Sequence, residues 1–97
     1  MEVANKLRYP WHFIWCYEHG CKTEHREEAT QIANLTRHFN GRFTCVKQAA
    51  GLENILSYRK EYIPWILMTD FRGLIPCMNV VANLSVHDPL MMMIVHC

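Results

Sequence analysis

The sequence predicts one α/β domain built on a short, mostly parallel sheet of about four strands flanked by helices. Three observations carry this reading. Short apolar runs alternate with segments whose apolar residues follow helical spacing. The runs are apolar at nearly every position, which strands covered on both faces require. The chain has 97 residues, the length of a single domain.

Residues 1–9 read as a lead-in segment, and residues 1–97 as one domain. Pro10 opens the first strand, Trp11 to Tyr17, short and rich in aromatic residues. Glu18-His19-Gly20-Cys21-Lys22 is a loop. Thr23 is an N-cap, and Glu24, Glu27 and Glu28 sit where the helix dipole favours acids. Ala29, Ile32, Ala33, Thr36 and Phe39 form the apolar stripe of that helix. Asn40-Gly41 closes it, with Gly41 expected to take the left-handed conformation.

Arg42 to Lys47 is the second strand. Leu52, Ile55 and Leu56 mark a second helix that ends near Tyr62, before Pro64. Trp65 to Thr69 is the third strand, followed by Asp70. Phe71-Arg72-Gly73-Leu74 reads as a loop, and Pro76 as the first turn of a third helix, where proline is tolerated. Cys77, Val80, Val81 and Leu84 give that helix its buried stripe. A turn at His87-Asp88-Pro89 leads to the fourth strand, Leu90 to Val95. Alternation of this kind argues for a parallel sheet with right-handed crossovers.

The bulk numbers exclude several classes. Hydrophobic residues make up 51% and charged residues 20%, a globular composition. The net charge is +1, with no basic patch, so a nucleic-acid footprint is absent. The longest apolar run, Leu90 to Val95, is far short of the about twenty residues a membrane span needs. No secretory leader is visible at the start. The five cysteines are irregularly spaced, which fits reduced thiols in a cytoplasmic protein better than a disulfide framework. Cys45 and Cys77 read as buried thiols. Trp11, Trp15, Trp65 and the methionines from Met91 to Met93 read as core. Asn34-Leu35-Thr36 and Asn83-Leu84-Ser85 match a glycosylation acceptor pattern inside predicted helices and read as chance.

In such sheets, ligands bind outside the carboxyl ends of the strands. The expected strand-end face therefore gathers Tyr17, Glu18 and His19, then Asp70, then His96 and Cys97. Asp70 stands out because an acid after five apolar strand residues is held on a rigid element. Cys16, His19, Cys21 and His25 carry zinc-ligand chemistry, but their spacing matches no standard zinc module. Cys97 beside His96 has the residue types of a nucleophile and base without a spacing that brings them together. The first strand-to-helix turn has one glycine, Gly20, so no phosphate-binding loop is present.

Ile66-Leu67-Met68-Thr69-Asp70-Phe71-Arg72 resembles the third strand and phospho-accepting aspartate of a response-regulator receiver domain. Gly73-Leu74-Ile75-Pro76 resembles the loop after it, and Leu90 to Val95 the fourth strand. The resemblance covers roughly residues 11–97. It implies a flavodoxin-like architecture, truncated after the fourth strand, with strand order 2-1-3-4. The sequence departs from a phosphorylating receiver at several points. One acid, Glu18, follows the first strand where a pair would hold magnesium. Val95-His96-Cys97 offers no Ser or Thr after the fourth, and a fifth strand with its lysine is missing.

These departures make the expected domain a pseudo-receiver: a catalytically silent signalling or regulatory module, not an enzyme and without a cofactor, acting by protein–protein interaction. The order 2-1-3-4 puts the apolar fourth strand at an edge. Leu90, Met91, Met92, Met93, Ile94 and Val95 are then the expected contact edge for a protein partner or a homo-oligomer. The alternative is a metal-binding or metal-dependent domain holding Mg or Zn through Glu18, His19, Asp70 and His96.

Overall fold

The computed structural model describes residues 10–17, 23–57, 63–83 and 90–95. Strand β1 (His12–Cys16) leads to helix α1 (Thr23–His38). Strand β2 (Arg42–Val46) leads to α2 (Ala49–Ser57), and β3 (Trp65–Thr69) to α3 (Phe71–Ala82). Strand β4 (Leu90–Val95) closes the order. The four strands form one sheet in the order β2-β1-β3-β4, and every pairing is parallel. This is the architecture and the strand order expected from the sequence. The predicted end of the second helix near Tyr62 and Leu84 of the third helix lie outside the described residues, as does the lead-in segment.

Burial explains which strands are central. All five residues of β1 are buried, and four of the five in β3. A strand can be apolar at every position only if both faces of the sheet are covered. Alternation along the strands then divides the core in two. Ile14, Cys16, Trp65 and Leu67 lie on one face with Leu52 and Leu56 of α2 and Cys77 of α3. Phe13, Trp15, Tyr17 and Met68 lie on the other, against Ala29 and Ile32 of α1. His12 enters the core at the start of β1 with its Nε2 2.8 Å from the Thr44 hydroxyl, so its polar edge is satisfied.

The two outer strands depart from the sequence expectation. Cys45 of β2 is exposed, not buried, because β2 is an edge strand whose residues are at most partly covered. Met92 of β4 is 55% exposed and is not core. A register shift separates the Trp65–Leu90 pair from the Ile66–Met92 pair, so Met91 is the extra residue of a bulge.

The end of α1 also differs. The left-handed residue is Asn40 (φ 65°), and Gly41 has no positive φ. The Asn40 amide donates to the Arg37 carbonyl (3.0 Å) and the Gly41 amide to the Thr36 carbonyl (2.8 Å), the two bonds of a Schellman cap. Gly41 is needed for space instead. A Cβ there would sit 2.6 Å from Trp11 Cζ2 and 2.9 Å from Thr36 Cγ2. Trp11 is fixed in that position by its indole N–H, which donates to the Phe39 carbonyl at 2.9 Å. Phe39 itself is turned outward and 64% exposed, so it does not continue the buried stripe.

These roles separate cleanly by mutation. Asn40→Gly removes a Cβ from a left-handed site and is expected to raise stability by up to about 1 kcal/mol. Gly41→Ala drives a methyl into Trp11 and is expected to cost about 1–3 kcal/mol. Urea denaturation measures both, and equal losses at the two positions would contradict the assignment.

Candidate functional site

The carboxyl ends of β1, β2 and β3 meet the starts of α2 and α3. Between them lies a cleft of about 280 Å³ lined by Cys16, Lys47, Gln48, Arg72, Gly73 and Pro76, with two alanines of α2. This is the edge of the sheet where α/β proteins place their sites. Lys47 and Arg72 are exposed cations, and the helix starts add the positive ends of two dipoles.

Asp70 follows β3 and does local work. Its backbone is extended (φ −89°, ψ 179°), and its Oδ1 accepts the Gly73 amide at 2.8 Å. That is an N-cap, which satisfies a donor that the first turn of α3 cannot pair internally. It corrects the sequence reading: residues 71–74 are helix, not loop, and Pro76 lies inside α3 rather than opening it. Proline in a helix interior costs roughly 3 kcal/mol. Here the cap at Asp70 and the packing of Cys77, Val80 and Val81 on the core hold the helix through it. Gly73 allows the close fit. A Cβ there would meet Thr69 Oγ1 at 2.5 Å and Asp70 Oδ1 at 3.2 Å.

Beneath this cap are two thiols that spacing does not connect. Cys16 at the end of β1 and Cys77 in α3 belong to one buried cluster, and the Cys77 thiol donates to the Thr69 hydroxyl at 3.9 Å. Both cysteines are buried. The neighbouring Cys16 thiol and the Thr69 hydroxyl draw the Cys77 pKa down, against burial and the Asp70 charge. The neighbouring Cys77, then burial, pushes the Cys16 thiol up. The sequence reading places Cys16 in a possible zinc set and Cys77 in the core. Nothing in their spacing shows that they share one buried cluster.

The expected strand-end face is only partly described. Tyr17 is buried, stacked at a tilt on Trp15 (5.4 Å between rings), on the α1 side of the sheet. Its amide donates to the Val46 carbonyl at 2.8 Å. Asp70 is directed into its own helix start on the other side. Glu18, His19, His96 and Cys97 lie outside the described residues, as do Cys21 and the side chain of His25. Among the described residues no group of three His, Cys, Asp or Glu side chains could hold a metal ion. No helix among them is long and apolar enough to cross a membrane.

Comparison with protein-family models, with curated proteins and with solved structures found no match.

The N-cap role of Asp70 has a measurable signature. Asp70→Ala is expected to cost about 1 kcal/mol of stability, whereas Asp70→Asn retains the acceptor and should cost only a few tenths. Denaturant midpoints for the two variants decide this. Equal and large losses would show that the negative charge, not the acceptor, is what the site needs.

Proposed function

We propose that this domain is a receiver-like regulatory module without chemistry at Asp70, which works by pairing with another protein chain through the β4 edge. The observation that carries the proposal is the state of that edge. β4 is the outermost strand of the sheet, and among the described residues no strand lies beyond it. Its six residues include no charge and no proline, two of the devices by which edge strands avoid association. Met92 and Val95 are exposed on it. The bulge at Met91 interrupts the ladder at the start of the strand and leaves Met92 to Val95 as the regular stretch.

The adjoining helix supports the same reading. Phe71, Ile75 and Met78 of α3 are 66%, 62% and 48% exposed. They follow i, i+4, i+7 spacing, one stripe of the helix distinct from the buried Cys77 and the partly buried Val80 and Val81. Val95 pairs with Thr69, two residues before α3 begins, so the end of β4 and the start of the helix belong to one end of the sheet. The silent character rests on the commitment of Asp70 Oδ1 to the Gly73 amide and on the cations at the cleft. Two copies joined about a twofold axis would bring β4 edges together antiparallel, extending the sheet across the interface.

Light scattering over a concentration series tests this. The molar mass should rise above that of the monomer, and Met92→Lys, which puts a charge on the edge, should return it to monomer without loss of the fold. A monodisperse monomer at high concentration would overturn the proposal.

A further inference from the structure

We propose that the partner at the β4 edge is a second copy of this chain, joined about a twofold axis through Met93, with the outer flanks of the two α3 helices packed across the same axis. This rests on the β4 reading above and adds to it the identity of the partner and the register of the pairing.

The two flanks of α3 have different surroundings. Arg72, Gly73 and Pro76 line the cleft that α3 shares with the start of α2. Met78, Phe71 and Ile75 lie about 100–160° round the helix from the buried Cys77, on the flank turned away from that cleft. α2 packs over β1 and β2, and α3 over β3. The flank of α3 away from α2 is therefore the one beside β4, and the exposed stripe faces the same way as the open edge.

Alternation along β4 sets the register. Met93 packs against the core on the α2–α3 face of the sheet, and Ile94 on the α1 face. Met92 pairs with Ile66, which also packs on the α1 face, so Met92 and Ile94 share that face. Residues directly opposite in an antiparallel pair point to the same face. A twofold axis between two copies of β4 must then pass through a residue and not between two. With Met93 on the axis, Met92 of each copy lies opposite Ile94 of the other, and the exposed Met92 gains an apolar neighbour. With Ile94 on the axis, Met92 would stand opposite His96 instead.

The chemistry of the surface favours a like partner. In a twofold interface a group near the axis meets its own copy, and a charge there would repel itself. Met92 to Val95 carry no charge, and neither do Phe71, Ile75 and Met78. A net charge of +1 adds little repulsion between copies.

The test is a filtered nuclear Overhauser experiment on the full chain. Isotope-labelled and unlabelled protein are mixed in equal amounts at a concentration where light scattering gives a dimer. Contacts between chains should join Met92 to Ile94, Met93 to Met93, and the α3 stripe to its own copy. Ile75→Lys, which leaves β4 untouched, should weaken the dimer at least about tenfold with unchanged circular dichroism, because like charges then meet across the axis. Pairing of the β4 strands in another register, contact of β4 with a different element of the second chain, or a dimer indifferent to Ile75→Lys would overturn this inference and leave the edge reading standing. A protein that stays monomeric would overturn both.

Discussion

The ladder between β1 and β3 is the constraint that organises the rest of the molecule. Its five register pairs, from His12–Trp65 to Cys16–Thr69, join two strands that are buried on both faces. Apolar side chains on both sides of a sheet need cover on both sides, and parallel strands need crossovers long enough to return the chain. Helices meet both needs at once. α1 takes the face of Phe13, Trp15 and Met68, while α2 and α3 share the face of Ile14, Cys16 and Leu67.

The carboxyl end shows how packing reassigns residues that look chemical. Asp70 has the position of a reactive acid and the geometry of a helix cap. Its carboxylate meets the Gly73 amide because a glycine there lets α3 start immediately over the end of β3. The same close approach brings Cys77 beneath the cap to meet Cys16 and Thr69. Cap and thiol pair are thus two consequences of one seating of α3. The outward side of that helix carries Phe71, Ile75 and Met78, so the element that shapes the cleft also presents apolar surface.

Much of the architecture is legible in the sequence because its signals are local. Trp65–Thr69 and Leu90–Val95 stand out as apolar runs with the bounds the structure gives them. The order β2-β1-β3-β4 agrees with the expectation drawn from the receiver resemblance. Other features depend on contacts that no local pattern reports. Pro76 reads as a helix start, because the pull of Asp70 and of the core on the preceding turn is invisible in the proline itself. The i, i+4, i+7 spacing of Phe71, Ile75 and Met78 is the available signal for the earlier start. Gly41 reads as the left-handed residue, although its neighbour Asn40 takes that conformation and Trp11 claims the space at Gly41. Cys16 and Cys77 are joined in one cluster by the seating of α3 on the core, which neither residue's local sequence reports.

β1 and β3 form the doubly covered middle of the sheet, and the proposed function requires β4 to be an edge open to another chain. Amide hydrogen exchange, followed residue by residue at low and high protein concentration, addresses both halves together. The slowest exchange is expected in β1 and β3 at every concentration. Outward-facing amides between Met92 and Val95 should exchange quickly when dilute and gain protection as the concentration rises. Protection of β4 equal to that of β1 in the most dilute sample, with no dependence on concentration, would contradict this picture.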